Sequence, residues 1–292
     1  MTTFIYLTLT LFGLTAGSFA GATIWRLRAH QLVNDKKSGE EVDKIEYKKL
    51  QPLIKSIKKD RSQCLSCHHS LAWYDLLPLV SWLSTKGKCR YCKKDIGSFE
   101  PVIELSMAAL FCISYFLWPY DLSSTLSIVQ LVVWLVSIVT VVILFVYDLR
   151  WMILPLPLTI TYGILGIVFA GLQVAITKDT STLNLLSIVW SVLLLGGLYF
   201  VLYKISSGRW VGGGDYKLGI GLGLFLGSWL NAFVALFLAN LIGCLIVIPA
   251  MLAKKLSKNS SVPLGPLLIL GSLITFFFAS HLTKLLGISL IF

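Results

Sequence analysis

Two carboxylates stand where a carboxylate is hard to keep. Asp148 ends the apolar run TVVILFVYDLRW, and Asp215 opens another within RWVGGGDYKLGIGLG. A charged group at the border of an apolar span is costly unless it faces protein or water. Two carboxylates at one depth and close together cannot both ionise comfortably, so they share a proton. The ionised member can then take a proton from water, which attacks a peptide carbonyl while the neutral member donates to the carbonyl oxygen. This is aspartyl protease chemistry. Gly212, Gly213 and Gly214 let the backbone approach a substrate closely. Irregular backbone is permitted there where it lines a cavity rather than faces lipid. Each aspartate also has an ordinary reading, as a solvated helix cap or as a partner for Arg150, Arg209 or Lys217.

Four cysteines form the second constellation. Cys64 and Cys67 make one C-x-x-C pair, Cys89 and Cys92 another, with 21 residues between the pairs. Two thiolates at that spacing sit on one knuckle, and two knuckles close a four-sulfur tetrahedral site suited to structural zinc. A domain this small buries little apolar surface, so a metal would supply much of its folding free energy. The alternative is reduced, unligated or redox-active pairs. His68 and His69 follow Cys67 and could replace a cysteine, although four thiols leave no position for them. Cys112 and Cys244 lie in apolar runs and read as packing residues.

These groups need elements to hold them. Apolar runs of the length that spans a bilayer, about 20 residues, occur near 4–25, 101–118, 124–147, 155–176, 183–205, 217–253 and 264–290. As one helix, 217–253 would reach about 55 Å, against a hydrocarbon core of about 30 Å. Gly227-Ser228 offers a turn, which splits it into 217–228 and 230–253 and gives about eight spans. With the N-terminus outside, 26–98, 148–154, 204–217 and 254–263 lie inside, and only Lys178 and Lys284 of the 25 lysines and arginines fall outside. Lys and Arg follow the first run and do not precede it, so it reads as a retained helix rather than a signal peptide. The fold class is therefore an all-α polytopic membrane protein with a small cytoplasmic domain between its first two spans.

Composition agrees. Only 13% of residues are charged and 56% are hydrophobic, against roughly 25% charged in soluble chains. The net charge of +11 follows from cytoplasmic loops alone, and no nucleic-acid motif accompanies it, which excludes nucleic acid as a partner. Residues 1–25 read as the first helix, 26–98 as the polar domain with its four-cysteine module at 64–92, and 99–292 as the bundle carrying both aspartates. Within the polar domain, about 34–61 is rich in Lys and Glu and reads as an amphipathic or partly mobile helix, while Trp73, Trp82, Leu76, Leu77 and Val80 are expected to form an apolar core. Gly13, Gly17 and Gly21 recur every four residues, a face for close helix packing. Glu100 and Glu104 suit the start of a helix or a role beside the cysteine domain. No internal repeat is visible.

Taken together, these residues resemble the type IV prepilin peptidases of the GxGD group over nearly the whole chain. GLTAGSF with Arg26 is similar to the family's opening. CLSCHHSLAWYDLLPLVSWLSTKGKCRYCKKDIGSFEPVIE is similar to its cysteine domain. YDLRWMILP and GGGDYKLG are similar to its two aspartate segments, and VPLGPLLILG to a late segment. The resemblance implies a catalytic pair of Asp148 and Asp215, eight spans and an active site facing the cytoplasm at the bacterial inner membrane. Implied substrates are pilins, pseudopilins or competence-type pilins with a basic leader, as met in type IV pilus, type II secretion and competence systems. Many members also methylate the new N-terminus with S-adenosylmethionine through the cytoplasmic domain. The chain departs from the pattern at Gly21, Leu65, Leu156 and Glu100, and none of these touches the aspartates. Two other readings stay open: a membrane transporter using intramembrane carboxylates, and a membrane-anchored methyltransferase or scaffold without protease activity.

Overall fold

In a computed structural model of the chain, residues 2–54, 62–255 and 262–285 are described. Part of the polar 34–61 segment and part of the 254–263 loop lie outside them. The described residues are helical, without a named strand. Six helices are long and apolar enough to cross a membrane. They are α1 (Thr2–Lys37), α4 (Phe99–Phe116), α5 (Thr125–Trp151), α6 (Leu156–Thr177), the broken helix Thr182–Ser206 and α10 (Trp229–Leu252). Two shorter apolar helices lie where the other two of the eight expected spans fall, and neither reaches spanning length among the described residues. Asp215–Leu226 (α9) has 12 residues, and the described apolar part of α11 (Leu264–Leu285) runs Leu264–Ala279. Gly227, with φ +63, ends α9 in the left-handed conformation, where glycine carries no Cβ penalty. The expected turn at Gly227-Ser228 is thus present.

The chain divides into two compact units, Met1–Ile113 and Ser114–Phe292. In the first, α1 runs antiparallel to α4 at backbone contact. A Cβ on Gly13 would stand 2.5 Å from Ala108 Cα, and one on Gly17 would stand 2.5 Å from Glu104 Cα. The expected glycine face therefore packs through its first two members. Gly21 has open space where a Cβ would be and takes no part in that contact. Cys112 packs as expected, with its sulfur 3.4 Å from Thr10 Oγ1, whereas Cys244 is exposed on α10.

At 36 residues, α1 is about 54 Å long, so its charged C-terminal part continues beyond any bilayer. There Ala29 and Leu32 bury against Leu50 of α2 (Lys44–Leu50), with Trp25, Val42, Tyr47, Leu53, Ile54 and Leu65 around them. Asp43 caps α2 by accepting from the amides of Ile45 and Glu46. Over 34–54 the chain is therefore helix, turn and short helix rather than one continuous helix. The core of this domain is this helical cluster and not the aromatic set between the cysteines. Trp73, Leu76, Leu77 and Val80 are exposed. Those residues sit on a 3₁₀ turn (Trp73–Leu76), on Leu77 just after it and on the five-residue α3 (Val80–Ser84), elements too short to close over their own side chains. Only Trp82 is tied in, through its indole N–H to Gly97 O at 2.7 Å.

The second unit packs α5, α6, α9, α10 and α11 around an aromatic centre. Trp134 of α5 stacks on Phe276 of α11 at 3.8 Å, with Phe169 of α6 and Phe225 of α9 against it. α9 is rich in glycine because backbone crowds it. A Cβ on Gly219 would stand 2.2 Å from Leu195 O, and one on Gly223 would stand 2.8 Å from Val192 Cα. Leu195 lies in a π-helical turn, Leu193–Gly197, between α7 (Thr182–Val192) and α8 (Leu198–Ser206). Such turns bulge a helix locally, and here the bulge rests on the glycine face of α9.

Candidate active site and metal centre

Asp148 lies in the last turn of α5, and Asp215 is the first residue of α9. Both are buried, at 4% and 9% exposure, which is rare for carboxylates. Each is held by one backbone amide. Gly265, at the start of α11, donates to Asp148 Oδ2 at 3.1 Å, and Gly212 donates to Asp215 Oδ2 at 2.9 Å. The amide of Asp215 donates back to Gly212 O at 3.2 Å, which closes the glycine turn on its own aspartate. Asp215 also sits at a helix N-terminus, where the peptide dipoles favour a negative group.

Three segments meet at this place. After Asp148, α5 ends at Met152 in the left-handed conformation, and the chain turns so that Leu154 Cβ lies 2.6 Å from where a Cβ of Gly214 would be. Leu218, one turn beyond Asp215, approaches the site of a Gly265 Cβ to 3.5 Å. Both carboxylates are buried rather than solvated. Two buried carboxylates are thus each aimed by a backbone amide. The donor Gly265 was not singled out by residue type, although its segment VPLGP carried a resemblance.

The cysteines form a separate centre in the first unit. All four are free thiols, and their sulfurs lie within 4.8 Å of one another, with Cys64 and Cys92 at 4.0 Å. Zinc–sulfur bonds of about 2.3 Å put tetrahedral sulfurs about 3.8 Å apart, so the four can hold a metal ion with little movement. The two knuckles repeat one hydrogen-bond pattern. His68 N donates to Cys64 O and Cys64 N to His69 O; Lys93 N donates to Cys89 O and Cys89 N to Lys94 O. His68 and Lys93 both have positive φ, and the pairings Gln63 with Ser70 and Lys88 with Asp95 close each loop. This repeat is conformational, and outside the cysteines the residue types do not show it.

Asp75 braces the second knuckle. It accepts from Arg90 Nε and Tyr91 OH, each at 2.9 Å, and from the amide of Ala72 at 3.2 Å. Burial pushes this carboxyl up, but the bonds to Arg90, Tyr91 and Ala72 outweigh it and hold the group below the usual carboxylate range. Beside the module is a cavity of about 230 Å³, whose lining includes Trp25, Arg26, Glu100 and Glu104. Glu104 is buried and accepts from the amide of Leu79 at 2.8 Å.

Comparison with known proteins follows these two centres. Residues 11–118 match the family model of the bacterial peptidase A24 N-terminal domain, and residues 135–248 match the type IV leader peptidase family. The "type 4 prepilin-like proteins leader peptide-processing enzyme" of Escherichia coli is 29% identical over 92% of this chain and 92% of its own length. A "prepilin leader peptidase/N-methyltransferase" of Pseudomonas aeruginosa is 25% identical over 94% of this chain and 90% of its own. A protein of the same name from Myxococcus xanthus is 40% identical over 121 residues, 41% of this chain and 33% of that one. No solved structure matches.

Proposed function

The chain belongs to the type IV leader peptidase family, and we propose that Asp148 and Asp215 are the pair with which it cuts the leader from prepilin-type substrates. The observation that carries this reading is a pair of buried carboxylates, each fixed by a glycine amide, at the end of α5 and the start of α9, where the segments of Leu154, Gly214 and Gly265 come together. One carboxylate takes a proton from water and the other donates to the scissile carbonyl oxygen. The pair titrates as a unit, and the two roles exchange between them through the cycle. The glycine turn leaves backbone open to an extended substrate. Mass analysis of the products after incubation of purified protein with a prepilin tests the reading. A new N-terminus directly before the substrate's apolar helix supports it, and an intact substrate refutes it.

The site is proposed to face the cytoplasm at the bacterial inner membrane. The support is the asymmetry of Lys and Arg, of which all but Lys178 and Lys284 fall on one side. Cys64, Cys67, Cys89 and Cys92 are proposed to hold one structural zinc. Four thiolates leave no open coordination position, so the ion ties the knuckles together and takes no part in hydrolysis.

The relatives' names also include N-methyltransferase. When bound, S-adenosylmethionine supplies an electrophilic methyl group. The cavity of the first unit carries Glu100 and Glu104 beside Trp25, with Arg26, Lys49, Lys88 and Arg90 also in its lining, so it offers carboxylates for the cofactor's cationic groups and cations for its carboxylate. We therefore place methylation of the new N-terminus there. Equilibrium dialysis with S-adenosylmethionine checks this apart from turnover, with weaker binding expected in Glu104→Gln.

A further inference from the structure

The exposed apolar residues between the cysteines need an explanation. Trp73, Val80 and Leu83 are 74%, 60% and 64% exposed, and none of them lines the cavity. Val80 and Leu83 are three residues apart on α3 and so share a face. The 3₁₀ turn that carries Trp73 packs against α3. Monomeric soluble surfaces rarely gather such side chains.

Their depth is fixed by one bond. Leu79, just before α3, donates its amide to Glu104 Oε2 at 2.8 Å. Glu104 is the sixth residue of α4, about 7.5 Å along the helix from its first residue. α4 has 18 residues, about 27 Å, against a hydrocarbon core of about 30 Å. A helix this short has no turn to spare, so its first turns lie at the boundary between headgroups and acyl chains. Leu79 is held there, and with it the elements on either side. The exposed faces of Val102 and Leu105 on α4 and of Phe19 on α1 continue the apolar surface. Lys86, Lys88, Lys93 and Lys94 are exposed beyond α3, as flanking cations are in segments that lie in the interface of an anionic membrane. Tryptophan and tyrosine favour the same depth, and Tyr74 sits edge-on to Trp73.

We propose that the 3₁₀ turn and α3, through Trp73, Val80 and Leu83, insert into the lipid interface beside α1 and α4, so that the four-cysteine module lies on the membrane surface rather than free above it. The partner is the lipid boundary itself. This inference does not depend on the identity of the catalytic pair.

The test uses the full chain in nanodiscs that contain anionic lipid. Trp73→Phe, at an exposed position, leaves the fold intact, and the difference between wild-type and variant emission isolates Trp73. A blue-shifted Trp73 component is expected, quenched by phospholipid brominated near the headgroup and sheltered from aqueous acrylamide. A component open to acrylamide and insensitive to brominated lipid overturns the proposal. So does a component sheltered from both, which would mean that protein covers the face. Shelter that appears only after a prepilin is added overturns it in favour of the substrate helix. Val80→Asp with Leu83→Asp gives an independent readout. If lipid covers α3, amide exchange of its residues in nanodiscs rises in the double variant; unchanged exchange argues against the proposal.

Discussion

The amide of Gly265 donates to Asp148 at 3.1 Å across 117 residues of sequence. A Cβ on Gly265 would stand 2.5 Å from the Asp148 Oδ2 it serves, so a side chain at that donor would push the carboxylate aside. The start of α11 thus sets where the carboxylate at the end of α5 points.

Gly265→Ala is therefore expected to leave the bundle folded and to displace the Asp148 carboxylate. A misplacement of about 1 Å in a catalytic group costs on the order of a hundredfold in rate. Leader cleavage by Gly265→Ala, followed by mass analysis, should fall on that scale. Gly21→Ala is the control. Its Cβ would meet nothing within 4 Å, so cleavage should stay near normal.

Asp148→Asn and Asp215→Asn should each remove cleavage, by on the order of a thousandfold or more, and the double variant should lose little further. The exposed Asp121 supplies the comparison, with near-normal cleavage expected in Asp121→Asn. Unchanged metal content and detergent behaviour would show that the Asn variants remain folded. Normal leader removal by Asp215→Asn would reduce the GGGD turn to a packing device.

One zinc per chain is expected from elemental analysis of purified protein. Cys64→Ser should lose the metal, because its sulfur is one of four within 4.8 Å. Chelation should loosen the two knuckles together, since each holds half of the ligands. A fully folded wild-type preparation free of metal would rule out the structural ion.

Asp75 offers a pH test. Its carboxyl is held below the usual range, so its stabilisation is complete at neutral pH and is lost only as pH falls through that lowered value. Hydrogen bonds to a charged group contribute about 1.5–3 kcal/mol. Asp75→Asn should thus lower the exchange protection of the Ala72 amide, which donates to Asp75 Oδ2, about tenfold at neutral pH. The gap between variant and wild type should close only below about pH 4, the ordinary carboxylate value. A gap that closes near pH 6 would contradict the lowered value.

Topology can be checked at Ile45, which is 82% exposed. In intact cells, Ile45→Cys should react with an impermeant thiol reagent no more than its parent does, and should react readily once cells are opened. Labelling in intact cells would place the cysteine domain, and with it the proposed active face, outside.

What sequence alone determined is what neighbours along the chain encode. Apolar runs bounded by charge marked the helices, because length and composition decide whether a segment crosses lipid. The two C-x-x-C pairs marked the metal centre, since ligands on one knuckle are close by covalent connection. Asp148 and Asp215 stood out because a carboxylate at the edge of an apolar run needs a reason. The tertiary structure decided what depends on distant segments meeting. It brought Gly265 to Asp148, set Leu154 against Gly214, and put the domain's core on Ala29, Leu32 and Leu50 instead of the aromatics between the cysteines. It also showed the two knuckles as one backbone pattern used twice, which residue types outside the cysteines do not carry. Burial belongs to the packed whole. A tryptophan on a four-residue turn reads as core until the surrounding helices prove too few to cover it.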